Sequence, residues 1–588
     1  MQMVWKNWYL YFALFVVVVA AYMNSFNAPF IFDDEHTIVT NGGIRDITNL
    51  KAVLFNSENA GRPLLFVTFA LNYAVGELKP FGYHVVNFIL HFGTSCLVFL
   101  LLAEILGREG VADRLWPAFG AALFALHPMG VEAVTYIASR SDGLSTFLYL
   151  LAFYMLIRGG LRFGWRFALA MAAFVLALLT KETAITLPAL AVVFALAYGG
   201  GIRRENAWPL AMLWAVLPLY FLFRSFALGY ALEKYVAKDV SVHDYFLSQL
   251  VVVPFQYIPR LFVPIYQILD ADQTVVDASL IPSVLAGGAM ALALLVFAFL
   301  RFRVSRPYSF SILWFFGALS VTSSFYPIFD AYAERRLYLA LPAFCLAVVY
   351  SLHLLEKRLA CPRKKIVAVA VAVLAVFGGL TWERNRLFAH PVLIMEDNIS
   401  KTFTNPRMHV AVFHEYLRAG QGDKAEETIL FAVKAFPESA FVRLDYCWLL
   451  GSKGEFEKLE RELVGIKPIR PNEFAWYYDF KGVIAGQKGD FDAAMGYFRK
   501  AIAADPKHGR GNIVVLLKMM GRDKDAQEYA RRTLKEFPLD ADMHFQLGLL
   551  LSKDDAGAAM EEFRTALRLS PGHSGALKMV EKFGNISG

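Results

Sequence analysis

Three consecutive carboxylates, Asp33-Asp34-Glu35, stand just beyond the first long apolar run of the chain, with His36 behind them. Such groups enter lipid only at high cost, so they belong at a membrane interface or in a polar cavity that faces outward. Adjacent carboxylates on a non-helical backbone point different ways. One can then take a proton while its neighbour orients a ligand or holds the first one's pKa. Their oxygens also suit a divalent cation, and a solvated acidic turn capping a short helix is the plain alternative.

Other polar side chains recur beside apolar runs. Arg62-Pro63-Leu64 opens an apolar stretch too short to span, so Arg62 is either a snorkelling interface anchor or a phosphate ligand. His84, Asn87 and His91 follow at i, i+3 and i+7, which puts three polar groups on one helix face, as packed hydrogen-bonded residues or as proton-transfer or metal groups. His127-Pro128 with Glu132, Arg140-Ser141-Asp142, Lys181-Glu182, Arg260 and Glu334-Arg335-Arg336-Leu337-Tyr338 complete the set. Each alone could be an anchor or a local ion pair. Together Arg140, Lys181, Arg260, Arg335 and Arg336 would set five cations on the membrane face of the aspartates, the chemistry a lipid-linked phosphate requires: carboxylates near an acceptor, cationic forks on the leaving group.

The elements that must position these residues are membrane helices. Of 588 residues 57% are hydrophobic, and the excess lies before residue 390. Eleven apolar runs are candidate spans, several of them short of the roughly 20 residues a span needs: about 8–26, 83–106, 116–127, 143–157, 167–180, 184–199, 207–223, 280–300, 308–325, 337–355 and 366–381. The first lacks a small-residue cleavage site and reads as a retained anchor. Lys6, Arg108 with Arg114, Arg158 with Arg162 and Arg166, Arg203-Arg204, Arg301 with Arg303 and Arg306, and the Lys357–Lys365 cluster fall at alternate ends of successive runs, which marks those ends as cytoplasmic. The loop 27–82 and everything after residue 382 then lie on the opposite face. In that loop Ile44, Ile47, Leu50 and Leu54, with Asp46 or Thr48 as cap, and Leu64–Val75 read as two interfacial helices. Pro254, Pro259 and Pro264 interrupt the apolar run 246–269, which reads as a broken re-entrant helix or an interfacial one on the external side. A net charge of +7 is accounted for by basic loops, so no nucleic-acid face is inferred, and Cys96, Cys345, Cys361 and Cys447 form neither a disulfide framework nor a zinc motif.

Residues 395–588 are an ordinary charged helical sequence with an internal repeat. Pro406, Pro437, Pro471, Pro506, Pro538 and Pro571 are spaced 31, 34, 35, 32 and 33 residues apart. That period is the tetratricopeptide one, with about five repeats, and Tyr478, Gly482, Ala485, Ala494, Phe498 and Ala501 supply its bulky, small and wedge positions. A helix-pair solenoid leaves a surface for a protein partner. The fold class is therefore all-α: a polytopic membrane domain over 1–390, then a repeat domain over 395–588.

The ordered set Phe32-Asp33-Asp34 with Ile38-Val39-Thr40-Asn41, Arg62-Pro63-Leu64 with Asn72-Tyr73, Gly82-Tyr83-His84 with Asn87 and Leu90-His91, Leu126-His127-Pro128 with Glu132-Ala133-Val134, Arg140-Ser141-Asp142 and Glu334-Arg335-Arg336-Leu337-Tyr338 resembles the transmembrane and tetratricopeptide-repeat O-mannosyltransferases. These are type C glycosyltransferases related to the protein O-mannosyltransferases, and the resemblance covers nearly the whole chain. It implies a sugar donor on polyprenyl or dolichyl monophosphate, transfer with inversion to Ser or Thr of an exported protein held by the repeats, and no cofactor; a metal is disfavoured because the protein O-mannosyltransferases need none. It further implies Asp33 as base with Asp34 beside it, although Asp-Asp-Glu replaces the family's Asp-Glu and leaves open which carboxylate acts. Arg62, Arg140, Lys181, Arg260, Arg335 and Arg336 are then expected on the donor phosphate, and Glu35, His84, His91 and His127 near acceptor or sugar. The expected location is a bacterial inner membrane, or the endoplasmic reticulum membrane in a eukaryote, with site and repeats on the periplasmic or lumenal side. The competing functions are a transferase of the same fold acting on a lipid or polysaccharide, and a non-catalytic scaffold. A transporter fits least, since the charges gather at one face.

Overall fold

The computed structural model describes residues 8–55, 61–226, 240–271, 281–328, 330–358, 362–506 and 508–584; Lys6 and Cys361 lie outside them. The described chain is helical, with no strand. It divides into two units, the first made of residues up to Asp34 and Asp46–Thr402, the second of Glu35–Arg45 and Phe403–Gly588.

In the first unit a helix occupies each of the eleven expected positions: α1 (Trp8–Tyr22), α4 (Pro80–Arg108), α5 (Leu115–Leu126), α7 (Arg140–Arg158), α8 (Trp165–Leu178), α9 (Leu187–Tyr198), α10 (Arg204–Phe226), α13 (Ile281–Leu300), α14 (Arg306–Leu319), α15 (Leu337–Arg358) and α16 (Arg363–Phe388). Among the described residues six helices are long and apolar enough to cross a membrane, or seven if α5 and the bent segment Pro128–Thr135 count as one span. Helix α7 has the length, but Arg140, Asp142 and Arg158 lower its apolarity, and α8, α9 and α14 are shorter. Between α1 and α4 lie α2 (Leu50–Phe55) and α3 (Pro63–Gly76). The cap of α2 differs from expectation: Asn49 accepts the Ala52 N–H (3.2 Å), whereas Asp46 turns back onto Thr48. Within the stretch expected to be interrupted at its prolines, residues 242–262 run as continuous helix, α11 (Val242–Val252) and α12 (Ile258–Phe262) joined by a wide π turn over Val253–Tyr257, and the helix ends just before Pro264. The wider turn accommodates Pro254, whose ring would clash with the carbonyl of an ordinary preceding turn. Helix α17 (Pro391–Lys401) also belongs to this unit: the Asn398 amide accepts the Leu269 and Asp270 N–H groups and donates to the Asp270 carbonyl.

The second unit holds five helix pairs and a terminal helix: α18 (Pro406–Arg418) with α19 (Gly422–Ala435), α20 (Ala440–Ser452) with α21 (Phe456–Leu463), α22 (Pro471–Gln487) with α23 (Phe491–Ala504), α24 (Arg510–Met519) with α25 (Asp523–Glu536), α26 (Ala541–Leu551) with α27 (Ala556–Leu569), and α28 (Ser574–Gly584). Pro406 and Pro471 stand at the first helical position, where a missing N–H costs nothing. The small and aromatic positions are core: Ala494, Phe498 and Ala501, and likewise Ala559, Phe563 and Ala566, are buried. Residues Glu35–Arg45, from the loop after α1, pack with these repeats. Glu35 pairs with Arg418 (3.2 Å), the Arg45 guanidinium donates to the Leu569 carbonyl (3.1 Å), and Gly42 lies against Leu539 and Leu569.

Paired helices approach so closely that a Cβ on Gly482 would lie 2.4 Å from the Phe498 ring. Gly482→Ala should therefore destabilise the repeats by about 1–3 kcal/mol, because a buried ring wedged between backbones cannot simply move aside. Thermal unfolding followed through repeat-specific proteolysis measures it; an unchanged midpoint would mean that the ring relaxes freely.

Candidate functional site

Asp33 and Asp34 are set in a tight turn in which the Asp34 N–H donates to the Ile31 carbonyl (2.9 Å). Phe32 takes the left-handed conformation there (φ 48°), a costly state for a bulky residue that persists only when its surroundings hold it. The restraint comes from one segment, Tyr136–Ala138. The Tyr136 hydroxyl accepts the Asp33 N–H (2.8 Å), and the Ala138 N–H donates to Asp34 Oδ1 (2.6 Å), while Asp34 Oδ2 takes the Ile31 N–H (3.1 Å). The two carboxylates are thereby made unlike. Asp34 is 1% exposed with both oxygens occupied, and burial pushes its pKa up to about 8 against the pull of its two N–H donors. Asp33 is half-buried, and among the described residues its carboxylate has no hydrogen-bond partner.

The restraining segment is itself held from several sides. His127 accepts the Met129 N–H and donates to the Leu261 carbonyl (3.0 Å). Asn87 donates to the Val134 carbonyl (3.0 Å), and Thr135 bonds Asn385 (2.5 Å), which reaches back to the Ala21 carbonyl (2.9 Å). Arg140, fully buried, closes the segment. Its guanidinium donates to Asn87 Oδ1 (2.6 Å), Asn72 Oδ1 (2.6 Å), Thr68 Oγ1 (3.2 Å) and the Tyr83 carbonyl (3.0 Å), and stacks over the Phe69 ring (4.6 Å).

One cation, Arg335, lies beside the turn, and two more, Lys181 and Arg62, gather around it. Arg335, in the 3-10 turn Glu334–Arg336 just before α15, donates its backbone N–H to Glu132 (2.8 Å), pairs with Glu132 and Asp330 through its guanidinium, and lies within the electrostatic reach of Asp33. Lys181 pairs with Asp142 (2.6 Å) and feels both Arg62 and Arg335; burial lowers its pKa to about 8 in spite of Asp142. Arg62 reaches Ser141 (3.4 Å) and Glu182 (3.8 Å), and Glu182 is shared with the buried Arg224 (3.2 Å). The side chains of Arg62 and Arg335 remain 28% and 21% exposed.

Several expected site residues are placed elsewhere. Arg140 spends its donors inside the protein and is a brace rather than a phosphate ligand. Arg260 donates to the Tyr266 carbonyl (2.6 Å) and the Gln256 carbonyl (3.0 Å) between the Tyr266 and Tyr332 rings, and Arg336 binds the Thr322, Ala331 and Asp330 carbonyls. Both tie loops to helices. His91 is packed between the Tyr338 hydroxyl (2.7 Å) and the Ala125 carbonyl (3.0 Å), His127 is engaged as above, and His84 donates to the Ala28 carbonyl (2.8 Å) with its other nitrogen buried and unpartnered. All three are buried; for His84 and His91 that is the packed arrangement of the two open in the sequence. Glu35 lies in the second unit, paired with Arg418. Tyr136 went unrecognised because no pattern marks it; Arg224 carried a signal, a charged residue just after an apolar run. Among the described residues no three His, Cys, Asp or Glu side chains lie close enough to hold a metal ion.

Tetratricopeptide-repeat family models match residues 477–508 and 520–574, both inside the second unit. Protein O-mannosyl-transferase TMTC3 of Homo sapiens is 24% identical over 95% of this chain and 68% of its own length. TMTC3 of Mus musculus is also 24% identical, over 91% of this chain and 64% of its own length, so the chain spans about two-thirds of these relatives. Tmtc1 of Drosophila melanogaster is 38% identical across 28% of this chain and 20% of its own. Over most of its length the chain is thus homologous to the TMTC protein O-mannosyl-transferases, with tetratricopeptide repeats in its second unit.

Proposed function

We propose that this protein is an inverting membrane glycosyltransferase that moves a hexose, mannose in the first instance, from a polyprenyl or dolichyl monophosphate to Ser or Thr hydroxyls of exported proteins. The observation that carries the reading is the inequality of the two aspartates. Asp34 has both oxygens committed to backbone N–H groups, whereas Asp33 keeps an unengaged carboxylate on a backbone fixed by Tyr136, close to cations. Asp33 is assigned as the base. It takes the proton of the acceptor hydroxyl as that oxygen bonds to the anomeric carbon, and the carbon–oxygen bond to phosphate breaks on the opposite face. Polyprenyl phosphate departs as an anion, so no second acid is needed. Arg335, Lys181 and Arg62 are assigned to that phosphate, where charge that grows in the transition state is worth most. The repeats hold acceptor protein and raise its local concentration. Site and repeats are assigned to the periplasmic or lumenal side.

The direct test is mass spectrometry of exported proteins with and without the gene. A Ser/Thr-linked hexose should vanish in its absence; an unchanged protein fraction with an altered lipid or polysaccharide would favour the rival acceptor class.

Asp33→Asn should cut transfer by about 10²–10⁴ while leaving the thermal midpoint nearly unchanged, since the side chain is unengaged. Asp34→Asn should instead destabilise by about 1–3 kcal/mol, because its amide cannot accept both N–H groups, and should lose activity less. Asp34 also makes stability pH-dependent. With its pKa raised in the folded state from the usual 3.8 to about 8, its contribution is complete below about pH 4 and is lost as pH rises through 8. Unfolding of purified protein in detergent across that range should slope downward in the wild type and less so in Asp34→Asn; equal slopes would contradict the burial argument.

Lys181 should set an alkaline limit on donor binding, since its ammonium is lost as pH rises through about 8. The KM for donor should climb above that pH and stay flat in Lys181→Arg, whose guanidinium keeps its charge. A limb unmoved by the substitution would remove Lys181 from the donor site.

A further inference from the structure

The helices that carry the candidate site at one end enclose a polar cavity at the other. Along α4, Arg108 lies 21 residues beyond Asn87, roughly 32 Å away along the helix axis and thus about a membrane thickness from the aspartate turn. There α1, α4, α7 and the residue before α5 surround a cavity of about 330 Å³ lined on its polar side by Tyr11, Glu104, Arg108, Arg114, Tyr154 and Arg158, and on its apolar side by α4 around Phe99 and Gly107. Glu104 holds two of the arginines, Arg108 at 3.1 Å and Arg158 at 3.0 Å, and so fixes both guanidiniums in place. Three arginines against one glutamate leave the lining with an excess of two positive charges. Among the described residues the Arg158 guanidinium bonds only Glu104, which leaves most of its N–H groups open to a ligand.

A cavity of this make-up asks for an anion, and its place between membrane helices adds an apolar part to that ligand. Guanidinium forks match phosphate oxygens two at a time, and basic pockets between membrane helices are suited to anionic head groups. We propose that this cavity binds the phosphate of an anionic phospholipid, a site separate from the donor site and at the opposite ends of the same helices. Phe99 and the neighbouring α4 surface take the glycerol and first methylenes, Arg108 and Arg158 the phosphate, and Tyr11 and Tyr154 the head-group hydroxyls. Because Glu104 ties α4 to α7, lipid in this cavity stiffens the two helices that supply Asn87 and Arg140 to the site.

Two variants isolate the proposal. Arg158→Gln removes one cation, and Gly107→Leu adds apolar bulk to the cavity lining at a position where a Cβ meets nothing within 4 Å. Full-length protein, stripped of lipid in detergent, is titrated with phosphatidylglycerol, with phosphatidylcholine and with inorganic phosphate, and read by native mass spectrometry and thermal midpoint. The expected result is one retained phosphatidylglycerol, a midpoint raised by it alone, an affinity about fivefold weaker in Arg158→Gln, and no retention in Gly107→Leu. Equal retention of phosphatidylcholine, or full phosphatidylglycerol binding in a folded Gly107→Leu, overturns the site. A midpoint raised as far by inorganic phosphate as by the lipid overturns the lipid assignment in favour of a soluble anion. Should Arg158→Gln fail to fold, Gly107→Leu still decides, because it leaves every charge in place.

Discussion

Burial of the Arg140 guanidinium is the constraint from which the arrangement of the site follows. An ion-sized group removed from water costs several kcal/mol unless its hydrogen bonds are replaced, and here the replacements come from neutral oxygens. Thr68 and Asn72 on α3, Tyr83 and Asn87 on α4 must all converge on one plane. That convergence locks α3 against α4 and fixes the start of α7. The segment just before it, Tyr136–Ala138, is then rigid enough to keep Phe32 in a conformation it would otherwise leave. A Lys at 140 would supply neither the planar fork nor the ring stacking.

The same geometry explains how neighbouring carboxylates come to differ without any distant charge. Two backbone N–H groups and near-complete burial take Asp34 out of the reacting space, and its bonds aim the turn. What remains is a single carboxylate on a fixed backbone next to Arg335, whose own position is held by Glu132 and Asp330. The cations assigned above to the donor phosphate are not bare charges. Each is already paired, which keeps it oriented and spares it the penalty of an unpaired buried ion when the site is empty.

Much of this was legible in the residues. The eleven apolar runs became helices because length and apolarity are local properties, and the 31- to 35-residue period fixed the repeat pairs because each depends only on its neighbours. The turn of Asp33 and Asp34 was legible as chemistry. What could not be read was the sorting of cations. Arg140, Arg260 and Arg336 look like Arg335 in sequence, and only the arrival of carbonyls from Tyr83, Tyr266 or Ala331 turns them inward. Those carbonyls belong to loops and helix ends with no residue signature, for every residue carries one. Tyr136 was invisible for the related reason that its hydroxyl serves a backbone N–H of a segment 103 residues away.

The packing of Glu35–Arg45 among the repeats also sets an order of events. Arg45 and its partner Leu569 are 524 residues apart, so at about 5–20 residues per second of synthesis the strap waits roughly half a minute to nearly two minutes for the last helix pair to exist. Arg418, the partner of Glu35, and Leu539, beside Gly42, are made before Leu569, so the contacts of this segment are completed from its start toward its end. The peptide that follows the proposed base is therefore a late-maturing element, and a chain that ends before Leu569 leaves the Arg45 guanidinium without that carbonyl.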